Sequence, residues 1–536
     1  MQSIIEESEI KFHTIFEKYG EITDNILYDS NKFGILQMKI GNKNISNDNP
    51  IAILFNVDCS ASMLDMSKDG KTKMQHVIHT LKRILSKFAD IHKNHDISIF
   101  VSVIAFDDSI HDIFDFVQIT HTNLEYLKNK INLIVPLDCT NIELSLITAK
   151  NICDKYRTEN HTHDMYHILL TDGDVTEGEN DHNILSNLVD ENYSNIFVGF
   201  GKHHNASLLN HLSNNVRSDY RFIDNIELSG IVYGEIIHNI IYNVIDVGRI
   251  VVKNGLIYDW KTNEWLTEIP IYNMASNCEK TFQIKTTDEY QIEIEIYGTL
   301  SNNTEELLIE TLYFYPPLFD IESDCIIAND TDLTPYAFRQ KTQELLYEAN
   351  NFALNNNNNE IQQTIKNKLV KFLKYMMDYM QKTDKKEDKF MKLLCDDIYV
   401  TFRTIGCNEA SMWIHNRQSS QGRQQTYTAT PSRNDIANLN VRIPSKAQRQ
   451  TNNFNETLDL YEGQQVIPDD ENMTIDSDVS TFDEFKRYSN NTRIRSISSL
   501  ESDENIDNYV LSNSIDTPYI TDEIIHMMQN IQNNDS

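Results

Sequence analysis

Apolar and polar positions follow a repeating pattern over the first half of the chain. Residues 51–58, IAILFNVD, form a short continuous apolar run, which is typical of a strand buried on both faces. Thr72 and Gln75 then form a capping box that predicts the start of a helix. That helix has apolar residues at helical spacing on one face: Val77, Ile78, Leu81, Ile84, Leu85, Phe88 and Ile91.

The alternation of strands and helices continues to about residue 245. Strands are predicted at 96–106, 115–119 (at a sheet edge), 166–171, 195–200 and 220–223, and helices at 141–156, 206–212 and 227–244. This order predicts a Rossmann-like α/β domain over residues 50–245, with a doubly wound and mostly parallel sheet. Residues 1–49 precede it as an N-terminal extension with one strand near 34–40.

The pattern changes after this domain. Strand-like pieces without intervening helices predict a small antiparallel β-sandwich over 246–325. Three amphipathic helices, at 335–354, 360–381 and 387–404, predict a helical bundle over 333–417. Residues 418–536 are rich in Ser, Asn, Gln, Thr and Asp, which predicts a disordered acidic tail with a terminal helix at 521–531.

Charge and cysteine usage narrow the class of protein. Lys and Arg number 47 against 80 Asp and Glu, and the net charge of −33 argues against binding to nucleic acid or anionic membranes. We expect no secretory signal and no membrane span. The 7 scattered cysteines contain no C-x-x-C pair, which favours an intracellular protein without a disulfide framework or zinc ribbon. The composition is compatible with a protist or a large DNA virus.

Oxygen-bearing side chains cluster at the ends of predicted strands. The sequence DCSASM directly follows the first buried strand, and ligands of open α/β sheets bind at the carboxyl ends of strands. Alternate residues of an extended loop can point the same way, so Asp58, Ser60 and Ser62 offer three oxygens to one point. Such oxygens suit Mg²⁺, which prefers near-octahedral oxygen coordination and keeps some waters.

Two later loops reach the same edge. Thr140 lies in LDCTN before a helix, and Asp172 lies in LLTDGD after a strand. Their hydroxyl and carboxylate would complete a site in which two carboxylates balance one divalent ion. Each residue also has an ordinary interpretation. Thr140 with Glu143 could cap the helix, Asp172-Gly173 is a common turn, and the two serines could be plain loop residues.

In this order, the three motifs resemble the metal-ion-dependent adhesion site of von Willebrand factor type A domains. The resemblance covers roughly residues 50–245 and includes D-x-S-x-S, T-N-I and L-L-T-D-G. VGFGKHHNASLLNHLS, with Gly199 and Gly201, is similar to the fifth strand and following helix of the family. The sandwich and helices are similar to the second half of intracellular plant- and fungus-like members.

The resemblance implies a site for Mg²⁺ or Mn²⁺. Asp58 would bind through water, Ser60 and Ser62 directly, and Thr140 and Asp172 directly or through water. The family usually has glycine where Ala61 stands, and often two glycines where Asp138 and Cys139 stand. Alanine fits this turn unless positive φ is required. Asp138 adds a charge, so the resemblance locates the site without fixing its affinity.

Other candidate sites are weaker. His161, His163, Asp164 and His167 are spaced closely enough for a second metal site, but they precede a strand and therefore lie at the opposite end of the sheet. His203 and His204 are interpreted as exposed loop residues. The sequence has no P-loop, no G-x-G-x-x-G after a strand, no H-E-x-x-H and no G-x-S-x-G, so no enzyme motif is found.

The sequence therefore favours an intracellular, non-catalytic module that binds a protein partner through a metal. The partner would supply an Asp or Glu to the ion. One alternative is a metal-independent scaffold that uses the sandwich, helices and tail. Another is a non-catalytic subunit of a ubiquitin-ligase-like or ATPase-coupled assembly, with the activity on another chain.

Overall fold

A computed structural model describes most of the chain outside the termini and one long segment. The residues described are 12–18, 33–43, 49–67, 69–137, 139–201, 204–286, 292–300, 305–314, 333–355, 358–432, 435–436, 506, 509–514 and 517–532, with the backbone alone for 12–18. None of the described helices is long and apolar enough to cross a membrane.

The strands belong to three sheets. They are β1 Phe12–Lys18, β2 Phe33–Ile40, β3 Ile51–Asp58, β4 Ile99–Phe106, β5 Ile110–Gln118, β6 Asp164–Thr171, β7 Ser194–Phe200, β8 Ser218–Ile223, β9 Asn243–Lys253, β10 Gly255–Asp259, β11 Glu264–Leu266, β12 Glu268–Ala275, β13 Glu279–Thr286, β14 Ile292–Leu300 and β15 Leu307–Phe314.

The α-helices lie on the first sheet and in a separate group. They are α1 Lys73–His95, α2 Leu124–Ile131, α3 Ile142–Glu159, α4 His182–Ser186, α5 Ala206–Leu212, α6 Ser229–Ile241, α7 Thr334–Asn355, α8 Asn359–Lys382, α9 Lys389–Thr404, α10 Ala410–Arg423 and α11 Asp522–Gln532.

The largest sheet has the order β5-β4-β3-β6-β7-β8. β3 lies at its centre, pairs in parallel with β4 and β6, and has every residue buried. β5 pairs antiparallel with β4 at one edge. Odd-numbered residues of β3 such as Phe55 join one apolar core, while Ala52 and Leu54 join a second core on the other face. These features confirm the predicted doubly wound α/β fold, in which apolar cores lie on both faces of the sheet.

Two antiparallel sheets follow, with orders β1-β2-β13-β10-β11 and β12-β9-β14-β15. Leu36 of the first and Ile250 and Ile294 of the second share one apolar core, as expected of a small β-sandwich. The predicted N-terminal extension is wrong in part, because β1 and β2 belong to this sandwich. β2 pairs with β13, more than 200 residues later, in the register Phe33↔Lys285.

The helical region contains four helices, α7 to α10, where three were predicted. Its boundary at residue 418 is wrong, because α10 continues to Arg423. Residues 424–430 are also mostly buried, and Tyr427 and Ala429 join the core of the α/β domain. Arg417 explains part of this order, since it pairs with Asp397 at 3.2 Å and donates to the carbonyl of Ala429 at 2.8 Å. Residues 437–505 of the predicted tail lie outside the described residues.

The terminal helix predicted at 521–531 is confirmed as α11. Its buried residues are Ile524, Met527, Met528 and Ile531, and it packs on α6 and α1 of the α/β domain. Arg83 of α1 also donates to the carbonyl of Asn530 at 2.9 Å. The end of the described chain is therefore a layer of the α/β domain rather than a separate tail.

Candidate metal centre

The five predicted site residues all lie at the carboxyl edge of the large sheet. Asp58 is the last residue of β3, Ser60 follows it, and Ser62 lies in a 3-10 turn, Ala61–Leu64. Thr140 comes just before α3, and Asp172 directly follows β6. Because β3 and β6 are parallel neighbours, their carboxyl ends bring these loops together.

Hydrogen bonds connect the three D-x-S-x-S residues with Asp172. Asp58 Oδ1 accepts from the backbone N–H of Ser60 at 2.8 Å. The hydroxyl groups of Ser60 and Ser62 lie 2.9 Å apart, and Ser62 donates to Asp172 Oδ1 at 2.6 Å. Ser60 and Asp172 are almost completely buried. The structure therefore brings two hydroxyls and one carboxylate into direct contact, with the second carboxylate immediately behind them.

Thr140 faces the same space, which Gly173 keeps open. A Cβ atom placed on Gly173 would lie 3.5 Å from Thr140 Oγ1 and 3.6 Å from Ser62 Oγ. Both hydroxyl oxygens therefore approach a single point. A larger side chain at Gly173 would extend into that space.

The ordinary interpretation of Thr140 as a helix cap is not supported. Asn141 is the N-cap of α3, and its side chain accepts from the N–H of Leu144 at 2.9 Å. Glu143 instead accepts from the N–H of Glu179 at 2.9 Å. Capping is thus carried out by Asn141, and the Thr140 hydroxyl is not needed for it.

Asp58 is an unusual carboxyl because its side chain is fully buried. Burial raises its pKa to about 6, although hydrogen bonds from Thr171 and Ser60 oppose the shift. Thr171 donates to Asp58 Oδ2 at 2.5 Å, so both carboxylate oxygens already accept hydrogen bonds. Sequence reasoning missed Thr171, although its position directly before Asp172 at a strand end could have indicated it.

Lys73, the first residue of α1, also reaches the site. Its ammonium group forms an ion pair with Asp172 Oδ2 and another with Asp65 at 3.0 Å. Burial lowers the pKa of Lys73, but the bonds to Asp172 and Asp65 outweigh burial and the net shift is upward. The site residues thus surround a position that attracts cations. Their hydroxyl and carboxylate oxygens fit a hard divalent ion such as Mg²⁺.

The two departures from the family pattern have different outcomes. Ala61 lies in the 3-10 turn and is not among the described residues with positive φ, so this turn accepts alanine. Asp138 lies outside the described residues. Cys139 is half-buried in the loop that leads to Thr140.

The predicted histidine cluster does not converge. His163 bonds to the Tyr156 hydroxyl at 2.9 Å, whereas His167 is buried between Asn56 and Asn195, at 3.3 and 3.1 Å. The interpretation of His204 as exposed is wrong. It is buried, and its ring bonds to the hydroxyl of Tyr220 and to a backbone carbonyl at Gly201. His203 lies outside the described residues.

The parallel sheet, with oxygen-bearing side chains at its carboxyl edge, places this domain in the class of Rossmann-like α/β domains. Residues 53–174 match the family model described as von Willebrand factor type A domain. The chain therefore contains a von Willebrand factor type A domain, a domain that commonly serves as a protein-interaction module. A comparison with curated proteins gives no match.

Solved structures that match this chain are distant in sequence. A von Willebrand factor type A protein from Catenulispora acidiphila is 12% identical, with 73% of this chain and 90% of that chain covered and a TM-score of 0.50. The ArnB paralog VWA2 from Sulfolobus acidocaldarius is 12% identical, with 77% and 97% covered and a TM-score of 0.43. Proximal thread matrix protein 1 from the mussel byssus, with a zinc-occupied metal site, is 18% identical, with 33% and 45% covered and a TM-score of 0.27.

Proposed function

We propose that this protein is a non-catalytic module that binds a protein partner through Mg²⁺ or Mn²⁺. The ion would be held by Asp58, Ser60, Ser62, Thr140 and Asp172, and an Asp or Glu of the partner would complete its coordination. The ion supplies an electrophilic centre when bound. The two carboxylates of the protein only balance its charge, so an acidic group remains attractive to it.

The roles of the ligands follow from their contacts. Both oxygens of Asp58 accept hydrogen bonds, from Ser60 and from Thr171, which supports binding through water. Ser60 and Ser62 have adjacent hydroxyls and would bind directly. Thr140 and Asp172 would bind directly or through water.

An apolar rim around the site supports the proposal that the ligand is a protein rather than a small acid. We define this rim as Leu64, Met66, Val135 and Leu137, which are large apolar side chains that are all more than half exposed. Leu64 and Met66 follow Ser62 in the chain, and Leu137 is fixed by a backbone bond from its N–H to the carbonyl of Cys59 at 2.7 Å. Exposed apolar groups around a polar centre are typical of protein interfaces.

The test combines metal binding with partner binding on the full chain. Mn²⁺ binding is measured by the loss of the free-ion electron paramagnetic resonance signal, and partner capture is compared in Mg²⁺ and in EDTA. Asp58→Ala and Asp172→Ala should abolish both without unfolding the protein. Asp174→Ala is the matched control, because its carboxylate is exposed and lies outside the site. Capture that survives both EDTA and Asp58→Ala would refute the proposal.

The Lys73–Asp172 ion pair favours a second candidate, a metal-independent scaffold. Lys73 already neutralises Asp172, so the domain can be stable without a metal. Under this function, partners would bind to the sandwich, the helices or the segment 441–505. Replacing 441–505 by a flexible linker of equal length would then remove partners that the Asp172→Ala variant still captures. This replacement spares residues 418–431, most of which are buried and which a deletion from 418 would remove.

A further inference from the structure

A second group of metal-ligand types lies beside the adhesion-type site. Cys59 Sγ, a carboxylate oxygen of Asp107 and a ring nitrogen of His111 lie within 4.8 Å of one another. Cys59 follows β3, Asp107 follows β4, and His111 is the second residue of β5. We propose that these three side chains form a separate site for a thiophilic transition metal of the Zn²⁺ class.

The strand pairing fixes the backbone of this group. The N–H of Cys59 donates to the carbonyl of Phe106 at 2.8 Å, which holds Cys59 next to Asp107 across the sheet. His111 pairs with Ala105 in the antiparallel register of β4 and β5, so its side chain returns to the same end of the sheet. The three ligands therefore come from three neighbouring strands and need no distant loop.

The side chains of Asp107 and His111 are already oriented. Asp107 Oδ1 accepts from the backbone and hydroxyl of Ser109, both at 2.9 Å, which leaves Oδ2 directed at His111 Nε2 at 3.0 Å. In metal sites, hydrogen bonds from residues that do not bind the ion orient the residues that do. Ser109 has this role towards Asp107. His111 is 39% exposed and can move outward, whereas Asp107 is only 1% exposed.

The distances suit a tetrahedral ion after a small adjustment. Zinc bonds of about 2.0–2.3 Å imply ligand atoms roughly 3.3–3.8 Å apart. The observed 3.0 Å between Asp107 and His111, and the limit of 4.8 Å for the whole group, lie on either side of that range. The ion would enter between Nε2 and Oδ2, with the ring proton on Nδ1 and one proton released from the thiol. Thiolate and carboxylate would then neutralise the ion and leave a fourth position for water.

This site differs from the proposed Mg²⁺ site in position and in chemistry. Alternate residues of an extended segment point to opposite sides, so Cys59 points away from the side used by Asp58 and Ser60. Cys59 indeed packs with Val57 and Met63 in the apolar core. Sulfur and imidazole ligands select zinc-like ions, while hydroxyls and carboxylates select Mg²⁺. The inference therefore does not depend on the proposed function.

The test uses Co²⁺, a spectroscopic substitute for Zn²⁺, added to the full chain in excess Mg²⁺. The wild-type protein should bind one equivalent of Co²⁺, with a thiolate-to-cobalt charge-transfer band in the near ultraviolet and the visible bands of tetrahedral cobalt. Zn²⁺ should displace it. Cys59→Ser should remove the charge-transfer band, and His111→Gln should weaken Co²⁺ binding by at least about tenfold.

Two matched variants serve as controls. Cys139→Ser removes the half-buried cysteine of the neighbouring loop, and His121→Gln removes a half-exposed histidine, and both should retain the band. The absence of a band in the wild type, its persistence in Cys59→Ser or its loss in Cys139→Ser would each overturn the assignment. If Cys59→Ser does not fold, His111→Gln tests the same assignment, because His111 is half-exposed. Loss of Mg²⁺-dependent partner capture with an intact cobalt band would refute the proposed function alone.

Discussion

The ammonium group of Lys73 forms an ion pair with Oδ2 of Asp172, one of the proposed ligands of the Mg²⁺ site. The pair is largely buried, with Lys73 16% exposed and Asp172 fully covered, so it is poorly screened by solvent. Ser62 donates to the other oxygen of the same carboxylate. A metal bound by Asp172 must therefore share this carboxylate with a lysine, whose positive charge opposes the binding of a cation.

Removing that lysine should strengthen metal binding. Lys73→Met keeps the length of the side chain without its charge, and we expect Mg²⁺ to bind about tenfold more tightly, or roughly 1.4 kcal/mol. Without metal, the variant should be less stable, because the carboxylate of Asp172 loses its ion-pair partner. Calorimetric titration and thermal unfolding with and without Mg²⁺ measure both effects.

The control for this experiment is Lys71→Met. Lys71 is 51% exposed and pairs only loosely with Asp69, at 3.6 Å, so Mg²⁺ affinity should not change. An unchanged or weaker Mg²⁺ affinity in Lys73→Met would show that Lys73 does not compete with the ion.

The apolar rim should contribute to partner binding and not to metal binding. Met66→Ser and Leu137→Ser should each weaken capture of the partner by about tenfold, since interface hot spots contribute on the order of 1–2 kcal/mol. Mn²⁺ affinity should remain that of the wild type. Leu354→Ser, on α7, is the matched control because Leu354 is also exposed. Equal capture by all three variants would remove the apolar rim from the interface.

Local patterns were sufficient to predict the core of the α/β domain and the position of the candidate site residues at its edge. The apolar run of β3 gave the central strand, and the Thr72–Gln75 capping box is present at the start of α1. Asp58, Ser60 and Ser62 follow that strand without a gap, so their position depended only on the strand being placed correctly. Thr140 and Asp172 followed from the rule that parallel strands end at the same edge.

Features that depend on contacts distant in sequence could not be predicted. The pairing of β2 with β13 joins residues more than 200 positions apart, and neither strand specifies the other. The polar stretch after 418 has the composition of a disordered tail, yet Gln424 is buried and donates to the carbonyl of Thr281 at 3.0 Å. Composition counts polar groups but does not show whether distant partners satisfy them.

His167 should make the protein sensitive to acid. Burial lowers its pKa from 6.5 to about 4, so the folded protein holds it neutral while the unfolded chain takes up a proton. Its contribution is complete above about pH 6.5 and is lost as the pH falls towards 4, by about 3 kcal/mol in total. His167→Gln should be less stable than the wild type at pH 7, but the difference should narrow by about 2 kcal/mol at pH 5.

Denaturant unfolding at the two pH values measures this difference. His121→Gln, which removes an imidazole that is 47% exposed, is the control variant. A difference between His167→Gln and the wild type that is the same at pH 7 and pH 5 would contradict the assignment of His167 as a buried neutral group.

Gly230 and Gly234 of α6 should be required for docking of the terminal helix α11. They lie one turn apart, and a Cβ on Gly234 would lie 2.5 Å from the Cα of Met528, while one on Gly230 would lie 2.6 Å from the Cα of Gln532. These contacts are with backbone atoms, so a side chain can be accommodated only if α11 moves. We expect Gly234→Ala to destabilise the protein by about 1–3 kcal/mol and to speed amide hydrogen exchange in α11.

A chain that ends at Ile520 separates this effect from any effect on α6 itself. Without α11 the added methyl group no longer meets Met528, and alanine favours a helix over glycine by about 1 kcal/mol. Gly234→Ala should therefore be neutral or stabilising in the shortened chain and destabilising in the full chain. If the substitution has the same effect in both backgrounds, the close approach of α6 and α11 does not contribute to stability, and α11 is not held by these glycines.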